Sequence, residues 1–219
     1  MNRSVCALVS GGLDSCVMLA TLACRYRKVY PVFIRQSLAW ETEELRSLRR
    51  YLRAARIRHE PLAILHSPAN DLYGAHWSTT GRKVPGTATP DEAVYLPGRN
   101  LMLLSKAAVF CALNKIDTIA VGSLGHNPFH DATPGFFREF AAVASKALDS
   151  RVQIITPFRA LIKEQVVRRG HRFGLPLCLS FSCIAPRRGH HCGRCNKCAE
   201  RQQAFRIAGI ADRTKYASH

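Results

Sequence analysis

Near the amino terminus five apolar residues, Val5-Cys6-Ala7-Leu8-Val9, run straight into Ser10-Gly11-Gly12-Leu13-Asp14-Ser15 and then into a helical pattern. A buried strand that passes to a helix through paired glycines makes a cradle for phosphate. The glycines have no Cβ to hold a ligand off the backbone, and the helix start offers unpaired N–H groups and the positive end of its dipole. Val9, Ser10, Gly11, Gly12, Leu13, Asp14 and Ser15 are therefore the expected ATP-binding residues, with hydroxyl donors at both ends of the turn. No Gly-Lys-Ser/Thr follows to supply the lysine and magnesium-binding hydroxyl of γ-phosphoryl transfer, so the loop suits pyrophosphate and argues against a kinase or GTPase.

The chain continues in alternating periods. Residues 16–27 read as a helix and 29–34 as a second buried strand, which together with the first make a right-handed βαβ unit. Residues 41–55 are helical, with Leu45, Leu48 and Leu52 on one face and Arg46, Arg49, Arg50 and Arg53 on the other. A third strand is expected within 57–65, and a long loop or insertion over 66–93, where periodicity fades and Pro, Gly, Thr and Ser accumulate. Residues 101–113 form a strongly apolar helix expected to be buried, and 118–122 a fourth strand. The loop 123–133 then lies at the strand's carboxyl end, where open α/β sheets bind ligands. Thr133-Pro134 starts a helix carrying Phe136, Phe137 and Phe140, residues 153–155 form a fifth strand, and 163–173 a further helix. The expected fold is α/β, a Rossmann-like parallel sheet with helices on both faces.

Among 219 residues, 32 Lys and Arg stand against 15 Asp and Glu, a formal charge of +17 that attracts polyanions such as tRNA and nucleotides or is simply an arginine-rich surface. The sequence shows no apolar run of membrane-spanning length and no signal-peptide order, so a cytoplasmic protein with no membrane partner is expected. Its nine cysteines then read as thiols and metal ligands in preference to disulfides.

Cys183, Cys192, Cys195 and Cys198 make a second constellation, with Gly193 between two of the ligands to let the chain turn sharply. Four thiolates suit a tetrahedral structural Zn²⁺, with an iron–sulfur cluster as the competing occupant. A closed four-ligand site leaves no position for water, so its expected role is in folding. His190 and His191, beside the cluster, either replace a ligand or lie at the surface, and the surface is expected.

Ser10 to Ser15, Pro97-Gly98-Arg99-Asn100, Thr156-Pro157 with Lys163 beyond it, and the four cysteines occur in the order seen in 7-cyano-7-deazaguanine synthases, which the chain resembles over nearly its whole length. The phosphate loop alone resembles the wider PP-loop ATP pyrophosphatases, which cleave ATP between the α- and β-phosphates. The resemblance implies a nucleotide-binding domain over 1–175 and a zinc-binding subdomain with a carboxyl-terminal helix over 176–219. It also implies a ligase that uses ATP and Mg²⁺ to convert a deazapurine carboxylate and ammonia to a nitrile on the route to queuosine. A homo-oligomer is expected, although no residue specifies one. Two stretches depart from the family pattern where substrate should bind, Arg35-Gln36-Ser37-Leu38 and residues 125–132, as in a divergent branch.

On this basis Asp14, Arg99 and Lys163 are the catalytic candidates. Asp14 either ligates Mg²⁺ or caps its own helix, and Arg99 and Lys163 either neutralise phosphate or are surface cations. In the loop from His126 to Asp131, Phe129 either stacks on a planar heterocycle or packs in the core. Asp131 either accepts from the guanidine-like edge of a deazaguanine or precedes the Thr133 helix as a cap. Two other functions fit some of the same features: a PP-loop enzyme acting on another carboxylate or directly on tRNA, and a non-catalytic zinc-knuckle RNA-binding protein.

Overall fold

The computed structural model describes residues 4–125 and 127–217. In chain order the elements are β1 (Ser4–Leu8), α1 (Leu13–Ala23), β2 (Lys28–Arg35), α2 (Glu41–Ala55), β3 (Ala63–His66), α3 (Asn70–Tyr73), α4 (Trp77–Thr80), α5 (Arg99–Leu113), β4 (Thr118–Ala120), α6 (Pro134–Ala147), β5 (Gln153–Ile155), α7 (Lys163–Arg172) and α8 (Asn196–Ala208). The five strands form one parallel sheet in the order β3-β2-β1-β4-β5.

Alternation along β1 fixes the layers. Val5, Ala7 and Val9 join a core built with α1, α2, α7 and α8, whereas Cys6 joins the core under α5 and α6. Both faces of the central strand are covered, which is why it reads as a continuous apolar run. On α2 the leucine stripe is buried and all four of the expected arginines are exposed. Each fully buried leucine, such as Leu48, contributes about 1.5–3 kcal/mol over leaving it in water. α1 and α7 approach closely because Gly170 faces Val17 and Leu177, where an added Cβ would lie 2.8 and 2.7 Å from their methyl groups.

Three expectations change. The apolar 101–113 helix is not buried all round, since an outer-layer helix has one face to bury: Leu104, Ala107, Ala108 and Cys111 are inside while Leu113 is 79% exposed. The 66–93 stretch carries α3 and α4, each a single turn. His191 is buried against Phe181 and Tyr216, and its Nε2 accepts from the Ser182 amide at 3.1 Å. Burial, with Arg201 nearby, lowers its pKa to about 3 and keeps it neutral. Among the described residues no helix is long and apolar enough to cross a membrane.

The cysteine-bearing segment is locked to the rest of the chain by Arg201, which is fully buried. Its guanidinium donates to Ser180 Oγ (2.9 Å), the Leu177 carbonyl (2.8 Å) and Thr214 Oγ1 (3.0 Å), and it lies 3.7 Å from Asp212. A buried charge held this way is strongly destabilising to break, because loss of a partner leaves it uncompensated.

Candidate active site

β1 is flanked by β2 on one side and β4 on the other, so the order in which strands are added to the sheet reverses there. The carboxyl ends of β1 and β4 therefore bound the crevice in which open parallel sheets place their ligands. The Ser10–Ser15 loop leaves β1 into this crevice, and the loop after β4 faces it.

Gly11 has φ +84°, and a Cβ there would stand 2.9 Å from the Glu44 carbonyl oxygen, so this position requires glycine twice over. The Phe181 amide donates to the Gly11 carbonyl at 2.7 Å, tying the loop to the cysteine-bearing segment. Gly12 donates its N–H to Ser10 Oγ (3.1 Å), and Ser15 Oγ donates to the Gly12 carbonyl (3.0 Å). Ser15 is thus committed to holding the loop, while Ser10 faces the cavity. The amides of the first turn of α1 have no partner within the helix and remain for a ligand.

Two adjoining cavities open over the loop, of about 500 and 240 Å³. The smaller lies against the ends of β1, β2 and β4 and is lined by Leu8, Val9, Val32, Phe33, Ile34 and Leu103 along with Ser15. The larger reaches from Leu13 to Trp77, Val94, Phe129, Phe181 and Ile184. They share Ser10, Gly12, Asp14, Glu44 and Arg99, together with Gly122, Ser123 and Asn127 from the loop after β4.

Charge is concentrated in the larger cavity. Lys163 Nζ is 2.6 Å from Asp14 Oδ2 and 3.0 Å from Glu200 Oε1, while Lys197 Nζ is 2.9 Å from Glu200 Oε2 and 3.4 Å from Asp91 Oδ1. Burial opposes the Lys163 charge, but Asp14 and Glu200 outweigh it and raise its pKa. Burial likewise opposes the Glu200 charge, yet Lys163 and Lys197 lower it to about 2. α1 is begun by Gly12 with no side-chain cap, so Asp14 does not cap its own helix. Its Oδ1 is buried with no hydrogen-bond partner, an orphaned hard oxygen beside the phosphate loop that fits Mg²⁺.

Arg99, at the start of α5, lines both cavities and donates Nε to Gln36 Oε1 at 3.1 Å. Phe129 lines the larger cavity with its ring 5.0 Å from that of Tyr95. Asp131 lies elsewhere: its Oδ2 accepts from the Asn100 amide at 2.9 Å, and its carbonyl accepts from Asn100 Nδ2 at 3.1 Å. It caps α5, neither opening toward a ligand nor capping the Thr133 helix, where Thr133 Oγ1 itself accepts from the Phe136 amide. His126 falls outside the described residues.

The sequence pattern did not single out Glu44, Lys197, Glu200 or the stacked Trp40 and Trp77, whose centroids are 5.7 Å apart. One signal for Glu44 was available. Its spacing from Leu45, Leu48 and Glu41 puts it on the stripe that α2 buries.

The sulfurs of Cys183, Cys192, Cys195 and Cys198 lie within 4.8 Å of one another, all buried, and can hold one metal ion. Hydrogen bonding among the thiols raises Cys183 and lowers Cys192, a sharing of protons that a cation resolves by binding thiolates. Gly193 turns the chain between ligands with φ +77°. The cluster also fastens the insertion over the cavity: Asn196 donates its amide to the Pro85 carbonyl (2.9 Å) and Nδ2 to the Thr89 carbonyl (2.8 Å), and Gly86 bridges to Cys195.

Known proteins resemble this chain in sequence and in fold. The family model described as queuosine biosynthesis protein QueC matches residues 4–209. A 7-cyano-7-deazaguanine synthase of Anaeromyxobacter dehalogenans is 30% identical, with the match covering 98% of this chain and 96% of that protein. One of Rhizobium etli is 36% identical over 57% of this chain, and the match spans 54% of that relative's length. Among solved structures, the U34-tRNA thiolase of Methanococcus maripaludis with its 4Fe-4S cluster has a TM-score of 0.51 at 16% identity, over 94% of this chain and 65% of that one, a likeness of fold. Matched by one family model from its first strand to the end of its last helix, the chain belongs to the queuosine biosynthesis protein QueC family.

Proposed function

We propose that the chain converts 7-carboxy-7-deazaguanine and ammonia to 7-cyano-7-deazaguanine, cleaving ATP to AMP and pyrophosphate. One observation carries the assignment beyond the names of its relatives: a phosphate loop without a P-loop lysine stands where two cavities meet, one sized for a nucleoside and one for a second planar substrate.

Turning a carboxylate into a nitrile requires each of its oxygens to become a leaving group, and attack on the α-phosphorus of ATP achieves this twice, through an amide. The protein supplies positioning and charge. First-turn amides of α1, with Ser10 and Gly12, take the departing pyrophosphate, and Arg99 and Lys163 neutralise its charge. Lys163 is held ready by Asp14 and Glu200. Mg²⁺, held through Asp14, would supply further screening of phosphate charge. The apolar wall of Val32, Ile34 and Leu103 suits adenine, and Phe129 with Trp77 suits stacking of the deazapurine. Phe129 is retained as the substrate-binding residue and Asp131 becomes a positioning residue that holds the Arg99 helix. The four cysteines take structural Zn²⁺, whose role is to keep residues 176–219 folded onto the nucleotide-binding unit.

The charge of +17 favours a second use of the same chemistry, on tRNA or another acid. Incubation with 7-carboxy-7-deazaguanine, ammonium, ATP and Mg²⁺ is expected to give AMP and the nitrile by mass spectrometry. AMP formation stimulated by tRNA or a different carboxylate, with no amide or nitrile, would reject the named substrate.

A further inference from the structure

We infer that Glu44 is the general base of the ammonia step, accepting a proton from ammonium as its nitrogen attacks the adenylated carbon. The inference rests on the function proposed above and names a residue for a step that the loop and cations leave unserved.

Where the two cavities meet, three of the shared residues ionise among the described residues: Asp14, Glu44 and Arg99. An acid bound in the larger cavity must present its carboxylate there to reach the α-phosphate of a nucleotide in the smaller. Asp14 pairs with Lys163 through Oδ2 at 2.6 Å and offers its Oδ1 to Mg²⁺, and Arg99 is a permanent cation. Glu44 has no ion pair within 4.0 Å among the described residues, although Arg99 acts on it electrostatically.

The neighbouring acid Glu41 shows what a structural carboxylate looks like in this place. Its two oxygens accept the backbone N–H groups of Gln36 and Ser37, and it lies 3.8 Å from Arg35. Glu41 thereby fixes the turn from β2 into α2 and lines neither cavity, whereas Glu44, one turn on, is only 8% exposed yet forms part of both walls. The groups around it are Arg99 from α5, Glu41 from its own helix and the Trp40 indole, which hydrogen-bonds to it, with Asp14 at the same junction and Lys163, Lys197, Glu200 and Asp91 elsewhere in the larger cavity. Burial dominates these influences and, against the pull of Arg99, raises the Glu44 pKa to about 8. A base near the working pH is the one that transfers protons best.

Ammonium gives one proton to the Glu44 carboxylate, and the freed nitrogen lone pair forms the C–N bond to the acyl carbon. The C–O bond to AMP breaks and its electron pair leaves on the phosphate. The surplus proton on nitrogen departs to that phosphate or to water, leaving the carboxamide, and Glu44 returns its proton to solvent before the next turnover.

The test separates adenylation from amide formation in Glu44→Gln, with Glu44→Asp as the variant that keeps a base. Glu44→Gln should slow acid-dependent exchange of labelled pyrophosphate into ATP by less than about 5-fold, and slow ammonium-dependent amide formation by about 100-fold or more, as expected for loss of a general base. Hydroxylamine, neutral at pH 7 and needing no such base, should restore acyl transfer as the hydroxamate, and Glu44→Asp should recover part of the ammonium rate. Amide formation at the parent rate in Glu44→Gln overturns the inference. So does loss of exchange and hydroxamate together, which would make Glu44 a nucleotide-binding or folding residue. If the unaltered enzyme shows no acid-dependent exchange, the adenylation chemistry fails first and this step with it.

Discussion

Replacing Asp131 separates a cap from a substrate contact. The carboxylate accepts the Asn100 amide in the first turn of α5 from a loop 31 residues away, and is itself buried. Asp131→Ala removes a hydrogen bond to a charged group, worth about 1.5–3 kcal/mol, and an anion at a helix amino terminus, worth about 0.3–1 kcal/mol. Together the loss is about 2–3 kcal/mol once the overlap between the two is allowed for. In a chain of this size each kcal/mol moves the melting temperature by about 2–4 °C, so a fall of about 4–12 °C is expected. The KM for the acid, measured by AMP formation below the melting range, should change by less than about 3-fold, because the side chain lines neither cavity. Thermal unfolding followed by circular dichroism, paired with that KM, decides the matter. An unchanged melting temperature with a tenfold rise in KM would refute the capping assignment and return Asp131 to the substrate.

If the proposed zinc is part of folding, Cys195→Ser should abolish stoichiometric zinc by metal analysis and lower the melting temperature by about 10 °C or more; iron with sulfide in the purified protein would contradict the zinc assignment. Gly11→Ala should destabilise the fold by at least about 1–2 kcal/mol through its left-handed backbone alone, with the Glu44 carbonyl in the way as well. Gly12→Ala, at φ −66° and with only Ser10 Oγ close to the added Cβ at 3.1 Å, should cost less stability than Gly11→Ala and lower ATP turnover, and the reverse order of stabilities would contradict the loop geometry. Because the folded-state pKa of Glu44 is raised from 4.5 to about 8, the folded protein holds that proton more tightly than the unfolded chain. The resulting contribution is complete below pH 4.5, declines as pH rises and is lost above about 8. Glu44→Gln should therefore gain stability relative to the parent as pH rises through that window, and a constant difference across it would argue against the shift.

Local periodicity and local chemistry made much of this molecule legible. The boundaries of α2, the Thr133 cap, the strand-to-loop passage at Ser10 and the four-cysteine set follow from neighbours in the chain, and so do they in the structure. Features set by long-range packing were not legible in the same way. His191 reads as a surface residue beside a cysteine cluster until Phe181 and Tyr216 close over it. Arg201 reads as an ordinary helical cation, yet Leu177 and Ser180 from one turn and Thr214 from the stretch after α8 come together to satisfy it. Asp131 reads as a residue of the loop at the ligand-binding edge, but it lines neither cavity and a partner 31 residues earlier uses its carboxylate. Glu44 shows the same limit from the other side. Its position on the leucine stripe is visible, while its arrival where the two cavities meet depends on Gly11 pressing against its carbonyl and on Arg99 across the sheet edge.

The central claim is that both carboxylate oxygens leave on AMP, one in each of two adenylations at the Ser10–Ser15 loop. Supplying the acid with both oxygens as ¹⁸O and analysing the nucleotide products by mass spectrometry tests it directly. The account expects two AMP for every nitrile, with one ¹⁸O in each AMP and none in pyrophosphate. Label appearing in inorganic phosphate or water, or ADP formed in place of AMP, would contradict it.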